Sequence, residues 1–249
     1  VINNVQKQYK HENIDQELAI AQHRNFEQTL KNAGVEVIKL KPSKDHPEQV
    51  FTRDIGFTLG NHLFISEMAN PIRQGEEEVL AHWMHKHNIA YKKLSTDSIE
   101  GGDVIVDGQH VFIGISHRTC KSAIQSLQKE LPEFKILPIQ FNPKYLHLDC
   151  VFNILSSEEA LIYPDAFDLK TVEFLASMYN LIEVSESEQF TMGTNVLSIG
   201  QKRVLSLPMN RDVNYQMRQH GYDVLEVDFS EIIKSGGSFR CCSMPIVRL

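Results

Sequence analysis

The chain has no long hydrophobic run, few cysteines and no block of basic residues. Across its 249 residues no apolar stretch approaches the ~18 needed to cross a bilayer, and no signal segment opens the chain. The four cysteines form no C-x-x-C pair, which argues against a disulfide scaffold and a structural zinc site. The net charge of −7, without a basic cluster, argues against a nucleic-acid partner. These absences predict a cytoplasmic protein with free thiols and no membrane contact.

What the chain does contain is a repeat. Four stretches pair two apolar runs across a turn signal and are typical of hairpins; they begin at Asp54, Asp103, Asp149 and Asn195. Their starts are 49, 46 and 46 residues apart, and Cys241 follows after a further 46. Between the hairpins, apolar residues recur at helical spacing, and a short apolar strand follows each helix. The pattern predicts a ββαβ unit.

The repeat count suggests a closed ring. A helix at residues 19–33, ended by Gly34 and followed by a predicted strand, VEVIKL, precedes the first hairpin, so five helices accompany four hairpins. The fifth repeat has one predicted strand, SFRCCSMPIV, and we expect its partner in about 10–20 residues upstream of Val1 in the intact protein. The predicted fold class is α/β, a five-bladed propeller of ββαβ repeats with a central cavity and a single domain over residues 1–249. An open α/β array is the alternative.

The predicted strand starts carry chemical groups that are unusual in a core. They include one cysteine, one histidine and four carboxylates at equivalent repeat positions: Asp54, Glu100, Asp103, His147, Asp149 and Cys241. Taken alone, His147 can be a hydrogen-bonded core histidine and Cys241 a small buried hydrophobe. Their joint recurrence favours a functional site at the centre of the ring.

The chemistry of this set points to a cationic electrophile. Cysteine with histidine is typical of a nucleophile and its acid/base partner. Several carboxylates around a thiolate suit a guanidinium, which is planar, always charged near neutral pH and rich in N–H donors. Attack on its carbon gives a tetrahedral adduct and then a thiouronium, which water activated by the histidine hydrolyses. We therefore expect a hydrolase that needs no cofactor or metal and acts on a small cationic guanidino compound.

Four motifs in order, FTRD, EGGDV, HLD and GGSFRCCSMP, resemble the guanidino-group-modifying superfamily of arginine deiminase, dimethylarginine dimethylaminohydrolase and the amidinotransferases. The resemblance covers nearly the whole chain and implies the propeller fold. It implies that Cys241 is the nucleophile, that His147 is the acid/base residue and that Cys242 has no chemical role. Strand alternation favours the same choice, because only one of two adjacent cysteines can point inward.

The resemblance also implies a set of substrate contacts. Glu100 is assigned to the catalytic set, and Asp54, Asp149 and Glu48 are predicted to bind the substrate. Asp103 is added to these substrate-binding carboxylates because of its equivalent repeat position. Arg73 and Arg118 resemble positions that bind the α-carboxylate in dimethylarginine hydrolases, although each can instead form an ordinary surface ion pair. An α-carboxylate contact implies an amino-acid substrate rather than agmatine.

The subfamily stays open at this point. The length matches the dimethylarginine hydrolases, whereas HLD is the deiminase and amidinotransferase form, and Asp149 could crowd out methyl groups. The predicted products are citrulline with ammonia or a methylamine. The alternatives are an amidinotransferase, in which an amine resolves the thiouronium, and a non-catalytic binding protein on the same fold. A homodimer is among the assemblies that the sequence allows.

Overall fold

Cap and turn residues set the bounds of the helices and strands. The computed structural model describes residues 6–247 except 8, 10, 95 and 96. The helices are α1 (Gln16–Asn32), α2 (Glu76–Lys86), α3 (Lys121–Glu130), α4 (Leu169–Ala176), α5 (Glu186–Phe190) and α6 (Arg211–Gln219). The strands are β1 (Gly56–Leu59), β2 (His62–Ile65), β3 (Lys92–Lys93), β4 (Val104–Asp107), β5 (His110–Ile115), β6 (Lys135–Gln140), β7 (Phe152–Ile154), β8 (Glu159–Ile162), β9 (Asn180–Glu183), β10 (Leu197–Ser198), β11 (Arg203–Ser206) and β12 (Asp223–Glu226).

Local chemistry explains individual boundaries. The carboxylate of Asp15 accepts the N–H of Leu18 at 3.0 Å and caps the start of α1. Gly34, at φ 86°, follows its end, as the sequence predicts. Leu59 pairs with His62 in the first hairpin, which leaves Gly60, at φ 54°, in a two-residue turn. No helix among the described residues has both the length and the apolar character to cross a membrane.

All four predicted hairpins are confirmed, each as part of a ββαβ unit. The sheets have the strand orders β1-β2-β3, β4-β5-β6, β7-β8-β9 and β10-β11-β12. In each sheet the first two strands are antiparallel, and the third joins the middle strand in parallel. Helices α2, α3, α4 and α6 lie between the second and third strands in sequence. The architecture is therefore mixed α/β, as predicted, and its closure into a five-bladed propeller stays a prediction.

The chain divides into two compact units. One contains the residues up to Ile38 together with Cys150–Arg240; the other contains Lys39–Asp149 together with the residues from Cys241 onward. The first unit holds two sheets, β7-β8-β9 and β10-β11-β12, around a core that includes Leu161 and Val204. The second holds the other two sheets, with Phe64 and Ile113 among its core residues. Every predicted site residue belongs to the second unit.

Two predicted strands are wrong. Residues 239–242 form a turn, and the described residues after them form no strand. The same kind of turn precedes each hairpin, at 52–55, 101–103, 148–150 and 191–194. The turns also use backbone groups to join one another: the N–H of Arg53 donates to the carbonyl of Cys241 at 2.9 Å, and that of Gly101 to Asp54 at 3.1 Å. Residues 35–40, VEVIKL, likewise form no strand.

Candidate active site

The turns that open the repeats bring most of the predicted site residues into one buried cluster of the second unit. Asp54 lies in the first turn, and Glu100 immediately precedes the Gly101–Asp103 turn. His147 and Asp149 flank Leu148, and Cys241 lies in the turn at 239–242. The residues of this cluster are at most 4% exposed, although all of them are ionisable: Asp54, Glu100, Asp103, His147, Asp149 and Cys241. Buried charges are costly unless they are paired, so the cluster depends on its internal contacts.

His147 lies between two carboxylates. Its Nε2 is 2.8 Å from Oε2 of Glu100, and its Nδ1 is 3.5 Å from Oδ1 of Asp54. Burial alone would lower the pKa of His147, but the charge of Asp54, the hydrogen bond to Glu100 and the charge of Asp103 raise it to about 10. Burial would raise the pKa of Glu100, but the hydrogen bond and charge of His147 and the charge of Arg118 lower it to about 2. The pair is therefore an imidazolium and a carboxylate at neutral pH.

The two adjacent cysteines have different surroundings. The thiol of Cys241 donates to Asp149, with its Sγ 3.8 Å from Oδ2 and 3.9 Å from Oδ1. Burial raises the pKa of Cys242 well above its ordinary value, and the charge of Asp54 raises it further. Strand alternation does not identify Cys241 as the nucleophile, because residues 239–242 form a turn and not the predicted strand. The two cysteines differ in their contacts instead. Burial keeps Cys242 a neutral thiol, whereas the thiol of Cys241 contacts the carboxylate of Asp149.

Both predicted carboxylate-binding arginines have carboxylate partners within the protein. Nη1 of Arg73 donates to Oδ2 of Asp54 at 2.5 Å, while its Nε and Nη2 donate to Oε2 of Glu76 at 3.0 and 2.8 Å. Burial would lower the pKa of Arg73, but Asp54 and Glu76 raise it. Arg118 uses a single terminal nitrogen, Nη1, which lies 3.2 and 3.3 Å from the two oxygens of Glu100. Neither arginine forms the surface ion pair that the sequence left open, and a role in binding a substrate carboxylate stays a prediction.

Asp103 and Glu48 are placed differently from the other carboxylates. Asp103 accepts the N–H of Leu148 at 2.9 Å and the hydroxyl of Ser116 at 2.6 Å, so both of its oxygens bind protein groups. Burial raises the pKa of Asp103 to about 6, against the opposing effects of His147 and these hydrogen bonds. Glu48 is buried ahead of the first turn, where its backbone carbonyl accepts the N–H of Phe51 at 3.0 Å.

Two residues of the site were missed in the sequence. Glu76 is fully buried and binds Arg73. It lies three residues after Arg73, at the start of α2, and this spacing could have indicated the ion pair. Gly102 leaves space for the neighbouring groups, because a Cβ there would lie 2.6 Å from Oδ1 of Asp54 and 2.7 Å from Cγ and Nδ1 of His147. The adjacent glycines of EGGDV were the signal for this close approach.

The cluster also contains a set of atoms with metal-ligand spacing. Asp54, Glu100 and His147 each offer one ligand atom, and these atoms lie within 4.8 Å of one another. A metal ligand must be a neutral imidazole, whereas the neighbouring carboxylates favour the imidazolium form of His147. The three groups also contact one another as an ion-paired network, through Nε2 of His147 with Glu100 and Nδ1 with Asp54.

Repeated ββαβ units, with a thiol, a histidine and carboxylates in the turns beside them, are the features expected of a guanidino-group-modifying enzyme. A family model described as N,N dimethylarginine dimethylhydrolase, eukaryotic, matches residues 1–248. The chain belongs to this family, which confirms the predicted superfamily and the predicted enzyme class, a hydrolase of guanidino C–N bonds.

Three proteins show what the chain is similar to. The uncharacterised protein YkgA of Bacillus subtilis is 53% identical over 248 residues, covering 100% of this chain and 87% of that protein. The N(G),N(G)-dimethylarginine dimethylaminohydrolase of Mycobacterium tuberculosis is 29% identical over 236 residues, covering 94% of this chain and 77% of that protein. The substrate-bound N-terminal domain of ArgZ, a cyanobacterial arginine dihydrolase, superposes with a TM-score of 0.90 at 25% identity, covering 100% of this chain and 93% of that domain.

Proposed function

We propose that the chain is a cysteine hydrolase that converts arginine, or arginine methylated on a terminal nitrogen, to citrulline and ammonia or a methylamine. The observation that carries the proposal is that the buried carboxylates already bind guanidinium groups: Asp54 holds Arg73, and Glu100 holds Arg118. Carboxylates that accept these side chains have the charge and the acceptor geometry for the guanidinium of a substrate. Family membership supports the same reaction class.

In the proposed reaction the thiolate of Cys241 attacks the guanidinium carbon and forms a C–S bond. The imidazolium of His147, with a pKa of about 10, supplies the proton to the departing amine as the C–N bond breaks. An S-alkylthiouronium remains on the sulfur. Neutral His147 then accepts a proton from water, which adds to the same carbon, and cleavage of the C–S bond releases citrulline and regenerates the thiolate. The thiol proton of Cys241 leaves to solvent when the cationic guanidinium binds, and the free amine takes up the proton that is released as the second adduct collapses to citrulline. The protons and electron pairs therefore balance.

Because Cys241 contacts Asp149, the bound substrate itself helps to stabilise the thiolate. A carboxylate 3.8 Å from the sulfur disfavours a thiolate, because the two negative charges would repel each other in a buried site. A guanidinium bound against Asp149 offsets that repulsion and lies next to the sulfur that attacks it. Methyl groups on the terminal nitrogen would remove N–H donors and place carbon against the buried carboxylate, so we expect arginine to be preferred to its dimethylated form.

The two arginines differ as candidates for the α-carboxylate of the substrate. Arg73 is fully buried, and its contacts with Asp54 and Glu76 involve Nε and both terminal nitrogens. Arg118 is 6% exposed and contacts Glu100 through one nitrogen. We infer that Arg118 makes the main carboxylate contact once it has left Glu100 to the guanidinium of the substrate, with Arg73 shaping the position of Asp54.

The test is an assay of the purified chain with arginine, monomethylarginine, asymmetric dimethylarginine and agmatine, in which citrulline and released amine are both measured. We expect turnover of arginine to exceed that of agmatine at least about tenfold, because agmatine lacks a carboxylate for Arg118. Cys241→Ser should abolish turnover, and the matched variant Cys242→Ser should retain most of it. Equal loss in both variants, with unchanged circular dichroism, would contradict the role of Cys241. Consumption of glycine or ornithine without net citrulline would favour the amidinotransferase alternative.

A further inference from the structure

Asp103 lies where three segments of the candidate site meet. Its side chain is fully buried at the end of the Gly101–Asp103 turn, and its two oxygens point to different partners. Oδ1 accepts the backbone N–H of Leu148 at 2.9 Å, and Oδ2 accepts the hydroxyl of Ser116 at 2.6 Å. A hydrogen bond from Thr119 adds a third donor. With these donors the carboxylate is satisfied by the protein itself.

Each of these contacts leads to a different residue of the site. Leu148 is flanked by His147 and Asp149, so the Oδ1 contact holds the turn that presents both. The hydroxyl oxygen of Ser116 accepts the N–H groups of Arg118 at 3.0 Å and Thr119 at 3.1 Å, so the Oδ2 contact holds the turn that presents Arg118. Thr119 in turn accepts the N–H of Glu100 at 3.1 Å through its own hydroxyl oxygen.

The surrounding backbone leaves room for this arrangement. A Cβ at Gly114, in the neighbouring strand β5, would lie 2.5 Å from Oδ1 of Asp103 and 2.9 Å from Cβ of Leu148. A side chain there would therefore push apart the two groups that form the Oδ1 hydrogen bond. Gly114 thus permits the close approach on which the position of the His147 turn depends.

We propose that Asp103 is a positioning residue, not a substrate ligand: one oxygen fixes the turn of His147 and Asp149, and the other fixes the turn of Arg118. This replaces the substrate-binding role that the sequence predicts for it, and it rests on the proposed function of the site. The charge of Asp103 also acts on His147, together with those of Asp54 and Glu100, the other charged groups that face the imidazole.

The two contacts predict two separable effects. Asp103→Asn removes the charge and cannot keep both contacts, because one side of an amide is a donor. Leu148 offers only an N–H, and the hydroxyl oxygen of Ser116 already accepts the N–H groups of Arg118 and Thr119. We expect kcat to fall about ten- to a hundredfold and the His147 pKa to move down. Ser116→Ala breaks only the contact with the Arg118 turn. It should raise KM for arginine about tenfold, leave KM for agmatine nearly unchanged and leave the pKa of His147 in place.

The experiment combines steady-state kinetics with an NMR titration of His147 in the full-length chain, with Asp107→Asn at the far end of β4 as the matched control. An unchanged His147 pKa and unchanged kcat in Asp103→Asn would overturn the proposal, as would equal KM increases for arginine and agmatine in Ser116→Ala. If Asp103→Asn does not fold, Gly114→Ala disturbs the same Oδ1 contact and should lower kcat without the arginine-specific KM effect. The titration needs no turnover. If the proposed reaction is wrong, the wild-type chain will be inactive, but the pKa of His147 will still depend on Asp103. The two failures can therefore be told apart.

Discussion

Gly102→Ala tests how closely the site depends on the position of His147. The added Cβ would lie 2.7 Å from Cγ and Nδ1 of the imidazole and 2.6 Å from Oδ1 of Asp54, whereas ordinary contacts begin near 3.4 Å. Relieving the contact requires a movement of about 0.7 Å by the ring or by the turn. The ring cannot take this movement and keep its 2.8 Å hydrogen bond to Glu100 unchanged.

The expected effect is on kcat. A misplacement on the order of 1 Å in a group that transfers a proton costs roughly a hundredfold in rate, so kcat should fall by about thirty- to a hundredfold. The methyl group also crowds a buried site, which should cost about 1–3 kcal/mol of unfolding free energy. Citrulline formation at saturating arginine measures the first effect, and urea denaturation followed by circular dichroism measures the second.

Gly108→Ala is the matched control because it should lower the free energy of unfolding without lowering kcat. Gly108 has a φ of +56° in the hairpin turn between β4 and β5, and a Cβ there would have nothing within 4 Å. Alanine should cost about 1 kcal/mol through backbone strain and leave kcat unchanged. Retention of more than about half of the wild-type kcat by Gly102→Ala would refute the reasoning, as would an equal loss of kcat in both variants.

Two further predictions concern stability. The pKa of His147 is raised from 6.5 to about 10, so the stability it contributes is fully present below pH 6.5 and is lost as the pH rises to 10. The free energy of unfolding should fall by a few kcal/mol across that window, and His147→Asn should flatten the fall in urea titrations at several pH values; an unchanged slope would contradict the ion-paired network. Glu76→Gln should cost about 3 kcal/mol, because it leaves Arg73 buried with one carboxylate, whereas Glu78→Gln on the exposed face of α2 should cost close to nothing in the same measurement.

The hairpins and helices could be predicted because their signals are local. Turn glycines such as Gly60 and Gly108 adopt the positive φ values that their positions in the sequence indicate. The strand predicted at residues 238–247 was wrong for a reason that is not local. Its apolar and β-branched content matches a strand, but the carbonyl of Cys241 bonds to Arg53, far away in sequence, within a turn. Strand propensity depends on the local sequence and does not include such a distant partner.

The members of the site could also be predicted, but their partners could not. Equivalent repeat positions identified His147, Asp149 and Cys241, since residues of unlike chemistry recurred where a core would place apolar side chains. The pairing of Arg73 with both Asp54 and Glu76 depends on the direction of side chains in the folded chain, and sequence spacing indicates only the second contact. The type and spacing of Asp103 match those of the neighbouring carboxylates, so the sequence predicts a substrate contact; the positioning role that we propose instead depends on its partners in the folded chain.

The charges of the cluster explain why a cationic substrate suits it. Among the buried ionisable groups of the second unit that surround the site, the acids outnumber the cations: Glu48, Asp54, Glu76, Glu100, Asp103 and Asp149 accompany Arg53, Arg73, Arg118 and His147. A buried site with an excess of negative charge is costly to maintain, and one more cation relieves that cost. A neutral product such as citrulline does not. In the proposed reaction, this imbalance would draw a guanidinium towards Asp149 and would bind the molecule less tightly once its C–N bond has been hydrolysed. Charge would then favour both binding of the substrate and release of the product.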